Sequence, residues 1–460
     1  MAELDTSESR PEDEDFGLDR ETVAAVIAAM EAGDAPALAK LMEGLHPADI
    51  ADLLEQLDPD DRRALLRLWG SELEGEVLSE LDEGLREEVI AALSPEALGE
   101  AVRELETDDV VDLVEDLEQE QRDEILAALP ADDRVAVEQS LSYPEGTAGR
   151  LMQREFVSVP EHWTVGDAID YLRAAEELPE DFYHVILVDP RMRPTGYVTL
   201  GKILANRRDV PLKELQEESF RTIHVLQDVE DVAYAFNHYH LISAPVVDDD
   251  GRLIGVITID DAMAVLDEEA EEDILRLAGV GDESLSDRIT EIAKARFVWL
   301  FVNLLTAILA SLVIDHFSDT IEAVVALAVL MPIVASMGGN AGTQSMTVAV
   351  RALATRDLTM RNAWRVIRRE IAVGALNGMA FGLILAVVAG LWFGMPLLPV
   401  VIAVAMLLTL VAAALGGILI PLALEQLGID PALASGPFVT TVTDVVSFGA
   451  FLGLASVILL

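Results

Sequence analysis

Apolar positions along the chain change their period twice before it becomes almost wholly apolar. Over residues 21–141, Leu, Val and Ile recur at helical spacing in segments such as ADLLEQLDPDDRRALLRL, EVLSELDEGLREEVIAAL and VDLVEDLEQEQRDEILAAL, broken at Asp-Pro, Ser-Pro or acidic turns. Such repeats predict amphipathic helix pairs stacked into a small solenoid with one buried seam; a plain helical bundle is the other packing the pattern allows. From about residue 155 strand and helix alternate, and the alternation occurs twice. HVILVDPRMRPTGYVTL (184–200) and SAPVVDDDGRLIGVITI (243–259) are one unit repeated, each a β-rich run, a turn at Asp189 or Asp248, and a second run ending near a Thr. The helical stretches ahead of them match as well, with Val165 and Asp167 answering to Val229 and Asp231. A charged helical segment over 268–292 follows, readable as a solvated connector or as a lever onto what comes next.

From residue 293 on, uncharged stretches are long enough to cross a hydrocarbon core, which takes roughly 20 helical residues. Residues 297–314 give one span and 323–350 a second, interrupted by glycines. The uncharged run 371–424 has 54 residues, about 80 Å as helix at 1.5 Å per residue, so it must turn and cross twice. Gly394, Pro396 and Pro399 mark that turn, and 437–460 gives a fifth crossing. Arg351, Arg356, Arg361, Arg365, Arg368 and Arg369 follow the second span, whereas Asp315, His316 and Asp319 follow the first. Positive charge on cytoplasmic loops then places the N-terminal half in the cytoplasm and the C-terminus outside a plasma (inner) membrane.

Charge sharpens this division. The chain of 460 residues carries 82 Asp plus Glu and 31 Lys plus Arg, of which only 9 and 8 lie beyond residue 290. An acidic water-soluble half is thus joined to a nearly uncharged membrane half. The acidic surface excludes a nucleic-acid partner, since phosphates would be repelled. Residues 1–20 have neither a basic cap nor an apolar run, so they read as a disordered acidic tail and not as a signal peptide. With no cysteine, disulfides, thiolate metal sites and cysteine nucleophiles are excluded. Only 4 of the 31 basic residues are Lys, and most of the acids are expected to form a solvated surface suited to high salt.

Two features of the membrane half carry chemistry. Pro332 and the run Gly338-Gly339-Asn340-Ala341-Gly342-Thr343-Gln344-Ser345 lie in the second span, where three glycines permit close helix approach and Asn340 and Gln344 share a helix face. Asp444 is the one charge of the last span, with Thr440 four residues before it, Ser447 three after it, and Gly449 and Gly453 as a smooth packing ridge on the other side. A carboxylate at that depth by default marks an ion pathway. The spans as counted hold no second acid. A small, hard ion that keeps its waters and needs only one or two carboxylates, as Mg2+ does, suits so sparse a donor set.

The repeated strand–helix unit resembles a pair of CBS domains. In such pairs an Asp shortly after the Thr often holds a nucleotide ribose; Asp260 and Asp261 follow Thr258, while Gly201 and Lys202 follow Thr199, so an adenine nucleotide is expected at one site at most. Pro332 with GGNAGTQS, RALATRDL (351–358), DPALASGP (430–437) and TVTDVVSFG (441–449) resemble the MgtE family of magnesium channels, and the order of parts extends the likeness over nearly the whole chain. The resemblance implies a multidomain membrane protein: an all-α helical solenoid (21–141), an α/β tandem CBS pair (142–267), a connecting (plug) helix (268–292) and a five-span α-helical transmembrane domain (293–460).

It further implies a homodimer embedded in membrane lipid, not an enzyme, with Mg2+ as both substrate and regulator. The ion path would use Asp444, Thr440, Asn340, Gly338, Gly339 and Gln344. Regulatory metal would be held by Glu76, Asp108, Asp112, Asp228, Glu230, Asp261, Glu269, Glu272, Asp273 and Asp430. Ser447 and Gly436 depart from the family pattern near the pore, and His240 and Ala264 stand where a ligand carboxylate is usual. The expectation is Mg2+ uptake across the plasma membrane, closed when cytoplasmic Mg2+ bridges facing acidic surfaces. No phosphate-binding loop speaks for an ATP-driven pump. A CBS-regulated secondary transporter coupled to Na+ or H+, and an adenylate sensor without transport, are the readings it competes with.

Overall fold

The computed structural model describes residues 18, 20–115, 117, 119–175, 178–179, 182–217, 220–280 and 289–460. The expected acidic tail 1–20 lies outside them except at residues 18 and 20. The chain forms two compact units, Met1–Glu268 and Glu269–Leu460.

In the first unit, helices begin where the sequence supplies caps. Asp58 accepts from the amides of Asp60 and Asp61 ahead of Pro59, and Ser94 accepts from Ala97 ahead of Pro95, satisfying donors that a helix start leaves open. Alternate helices stack: Pro47–Gln56 on Gly75–Ser79, that on Pro95–Glu104, and that on Gln119–Ala128, while Pro59–Trp69 packs on Glu83–Ala92. This is solenoid stacking around one seam that includes Leu53, Leu78, Val102 and Ile125. The guanidinium of Arg62 is buried at the seam's edge and donates to the carbonyls of Leu54 and Leu57 and to Glu88. Burying it leaves no donor group stranded.

The two β units have one topology. Strand β1 (Ser158–Pro160) runs parallel to β2 (His184–Val188), which pairs antiparallel with β3 (Pro194–Thr199). Strands β4 (Ile223–His224), β5 (Ser243–Val247) and β6 (Leu253–Thr258) repeat the pattern. Even the irregularity recurs, at Leu187/Val188 and at Val246/Val247. Asp189 accepts from the amides of Arg191 and Arg193, and Asp248 from those of Asp250 and Arg252, so one Asx turn sets both hairpins.

The connecting segment differs from expectation. The helix that enters it starts back at Ile259 and stops at Ala278, where Gly279 takes φ +74°, a left-handed geometry that ends a helix at low cost. A continuous helix over 268–292 is therefore not formed; residues 281–288 lie outside the described set, and a new helix starts at Ile289.

Five helices of the second unit are long and apolar enough to cross a membrane: within Ile289–His316, then Ala326–Ala354, Ala363–Phe393, Leu398–Gln426 and Pro431–Ile458. The fourth packs on the second, third and fifth, and the first packs on the fifth. The helices outrun the uncharged stretches. The second extends past Arg351, and the third begins seven residues before Glu370, so Arg365, Arg368, Arg369 and Glu370 are helical and not loop. The reading that the spans hold no second acid is accordingly corrected: Glu370 lies in the third helix.

Candidate functional site

The second span passes through Pro332 and three glycines without breaking because its neighbours close on it. A Cβ on Gly338 would sit 2.7 Å from Thr409 Cγ2 and 2.8 Å from Ser447 Oγ, and one on Gly342 would sit 2.8 Å from Val439 Cγ1. Those separations are below van der Waals contact, so only glycine admits the fourth and fifth spans this near. Gly339 faces the other way, with nothing within 4 Å of a Cβ.

On the fifth span, Thr443 and Ser447 are buried on the second span's side, whereas Asp444 is half-buried and Thr440 exposed. Ser447 thus belongs to the helix contact and not to the polar stripe expected with Asp444. The ridge at Gly449 and Gly453 receives Val313 and Phe317 at the end of the first span. No hydrogen bond or ion pair holds the Asp444 carboxylate among the described residues.

The expected pore residues separate into two groups. Asn340 and Gln344 line a cavity of about 390 Å³ between the second, third and fourth spans, together with Ser345, Glu370 and Asn377. Asp444 and Thr440 are not among its walls. Ser345 donates to Glu370 at 3.2 Å. Counting uncharged runs leaves out Glu370 and gives Asn377, inside the run 371–424, no distinction, although their spacing of seven, with Gly374 between, puts both on one helix face.

In the first unit, carboxylates crowd where the helix Thr107–Glu115 meets the start of Ile259–Ala278. Burial, followed by the charges of Asp261, Asp112, Asp260 and Glu76, pushes the Asp109 carboxyl up to about 7. Burial and then Glu155, Asp109, Asp261 and Asp260 push Glu106 up to about 7. Asp108, buried and next to Asp261, is raised well above the usual carboxylate range. Asp261 is raised by burial to about 6 against the opposing hydroxyl of Thr258, which donates to it at 2.6 Å. Of the expected ligands, Glu76, Asp108, Asp112 and Asp261 therefore share one field. Glu106, Asp109 and Glu155 join them, unforeseen.

Other expected ligands have structural partners. Asp112 pairs with Arg86 at 2.7 Å. Asp228 caps the helix Val229–Tyr239 by accepting from the amide of Glu230. His240 closes the same helix at φ +53°, a left-handed position. Asp430 caps the fifth span, accepting from the amide of Ala432 at 2.7 Å, and pairs with Arg276 at 3.3 Å, which also holds Glu272 at 2.5 Å. Burial, followed by Asp430, raises Asp273. Among the described residues no three His, Asp or Glu side chains converge as a finished metal shell. The cavity bordered by Thr258, His184 and Ser243 has about 30 Å³, room for about one water as it stands. Asp260 is exposed.

Comparison with known proteins agrees with this layout. Residues 331–454 match the MgtE family of divalent cation transporters, 45–146 the MgtE intracellular N domain, and 148–209 and 212–268 CBS domains. The magnesium transporter MgtE of Thermus thermophilus is 35% identical over 437 residues, covering 94% of this chain and 97% of that protein. Its namesake in Enterococcus faecalis is 36% identical over 320 residues, 70% of this chain and 71% of its own. A solved cytosolic domain of the Mg2+ channel MgtE, in complex with ATP, is similar at 30% identity over 53% of this chain and 99% of its own, with a TM-score of 0.49. The chain belongs to the MgtE family of magnesium transporters.

Proposed function

We propose that this chain is a Mg2+ channel for uptake across the plasma membrane, working as a homodimer in lipid, with the N-terminal unit cytoplasmic, the C-terminus outside, and the ion drawn along a path past Asp444. The observation that carries the reading is the Asp444 carboxylate, half-buried in the fifth span with no countercharge among the described residues, on a helix held against the second span through Gly338 and Gly342. An unpaired carboxylate at membrane depth is costly and is retained where an ion is its partner. Thr440, one turn away and exposed, supplies a further oxygen to an ion that keeps most of its waters, while Asn340 and Gln344 line the separate cavity beside Glu370.

Cytoplasmic Mg2+ closes the path. Burial, followed by the neighbouring carboxylates, has lifted Glu106, Asp108, Asp109 and Asp261 out of the usual carboxylate range, and a divalent ion among them turns mutual repulsion into attraction. Glu269, Glu272, Asp273 and Asp430 form the corresponding group at the membrane end, and Glu76, Asp112, Asp228 and Glu230 add to the acidic field of the first unit. Asp260, exposed beside Thr258, is the residue offered to a nucleotide ribose.

Mg2+ flux into proteoliposomes tests the path. Asp444→Asn, which keeps shape and loses charge, is expected to abolish most flux while elution volume and thermal stability stay unchanged. Undiminished flux in that variant refutes the assignment. Single-channel current, as against saturable flux that follows a Na+ or H+ gradient, separates a channel from a coupled transporter.

A further inference from the structure

We propose a second divalent-cation site in the membrane unit: the cavity lined by Glu370, Asn377, Asn340, Gln344 and Ser345 holds a hydrated Mg2+ through its water shell, apart from Asp444.

Glu370 follows Arg369 in sequence, yet its hydrogen-bond partner is not an arginine. Its carboxylate accepts from Ser345 across the gap between the third and second spans. One hydrogen bond from a neutral hydroxyl leaves most of a carboxylate's acceptor capacity open. Seven residues further on, about 10 Å along the helix, Asn377 opens on the same cavity. Asn340 and Gln344 face it from the second span, running antiparallel. Gly374 is why the wall opposite can come close: a Cβ there would lie 2.7 Å from the carbonyl oxygen of Leu410 on the fourth span. Three helices thus line an open hollow with one charge, three amides and one hydroxyl among otherwise apolar walls.

Size and chemistry select the occupant. Lipid could not satisfy five polar side chains, so the hollow is wet. A fully hydrated Mg2+ carries six waters, about 180 Å³ at roughly 30 Å³ each, which the cavity of about 390 Å³ accommodates. A dehydrated ion would need about six oxygen ligands at close to 2.1 Å, and a single carboxylate with amides spread over about 10 Å cannot supply that cage. The donor set fits an ion that arrives and leaves with its waters. Glu370 lies on the third span about 10 Å from the end that carries Arg365, so this site stands toward that end of the conduction path. There it concentrates cations and passes them on, binding weakly enough to release.

This inference rests on the Mg2+-transport reading but not on Asp444, and the test keeps the two apart. Anomalous scattering from full-length crystals grown with Mn2+ is collected for the wild type, Glu370→Gln and Asp444→Asn. Density in the cavity is expected in the wild type and in Asp444→Asn, and absent in Glu370→Gln, where the amide oxygen can still accept from Ser345. In proteoliposomes Glu370→Gln should raise the half-saturating Mg2+ about tenfold, and Glu370→Gln/Asn377→Asp, which returns one negative charge to the same hollow, should recover most of that loss. Recovery separates charge from any effect on folding. Cavity density that persists in Glu370→Gln, an empty wild-type cavity, or a double variant no better than the single one overturns the proposal. Loss of flux in Asp444→Asn with cavity density intact leaves it standing, and normal flux there sinks only the Asp444 path.

Discussion

Asp109→Asn should stabilise the first unit fully at pH 8 and by only about a third as much at pH 5. The Asp109 carboxyl ordinarily titrates at 3.8 and is held at about 7 by burial and by Asp261, Asp112, Asp260 and Glu76. Each unit of pKa is worth about 1.4 kcal/mol, so the ionised form carries a penalty on the order of 4 kcal/mol, about 2 kcal/mol once screening and shared protons among its neighbours are allowed for. The folded state binds the proton more tightly than the unfolded chain, so stability falls as pH rises from about 4 and the full penalty is reached above about 7. Asparagine cannot ionise and escapes it. For a domain of this size about 2 kcal/mol corresponds to a Tm gain of roughly 4–8 °C. Calorimetry of the full chain in detergent and chelator, at pH 5 and pH 8, measures it. An equal gain at both pH values, or none at pH 8, would show that Asp109 ionises freely and that the crowded field is misread. Mg2+ added at pH 8 should raise the wild-type Tm and narrow the gap to Asp109→Asn.

Gly342→Val should destabilise the membrane unit by about 1–3 kcal/mol, since its side chain would collide with Val439 and Thr443, whereas Gly339→Ala, which meets nothing within 4 Å, should leave the Tm unchanged. Equal effects of the two on detergent-solubilised Tm would remove the glycine-contact argument. Neutralising Glu269, Glu272 and Asp273 to Gln, Gln and Asn should raise several-fold the Mg2+ needed to protect the connecting helix from protease in high KCl. An unchanged midpoint would make that cluster a solvated face only.

The repeated units were legible because one device was repeated with them: Asp189 and Asp248 begin the same Asx turn, and the strands on either side alternate with it. Solenoid helices announced themselves through Asp-Pro and Ser-Pro starts. Span edges were less legible, since counting uncharged residues stops at a charge while a helix continues as long as packing and its own hydrogen bonds allow. A count of uncharged residues therefore leaves Glu370 just outside the third span, and no local pattern marks the cavity it lines. Contacts remote in sequence, such as Arg86 with Asp112, have no local signature at all. Asp228 and Asp430 were readable as acids, but their capping duty follows from where a helix begins, which Asp-Pro at 430 signalled more clearly than Asp-Val at 228.

The size of these interactions explains why acidic clusters occur in both units. At the end of the connecting helix, Arg276 already stands as a cation between Glu272 and Asp430, and Leu277 packs against the cluster of Met346, Val350, Ala432 and Val439. A partly exposed ion pair is worth about 0–1 kcal/mol and a half-buried leucine roughly 1 kcal/mol, so about 2 kcal/mol holds this end. An ion that adds or removes a comparable amount changes a two-state ratio about 30-fold, short of the 5.5 kcal/mol or so that takes a gate from nearly always open to nearly always shut. The buried, crowded carboxylates at Glu106, Asp109 and Asp261 offer a second increment of similar size, about 2 kcal/mol for Asp109 alone. In the proposed homodimer, two such sites in each subunit would pass the threshold where one does not. If Mg2+ closes the path as proposed, its control is spread over several weak acidic sites, and losing one of them should shift the closing concentration while leaving closure itself intact.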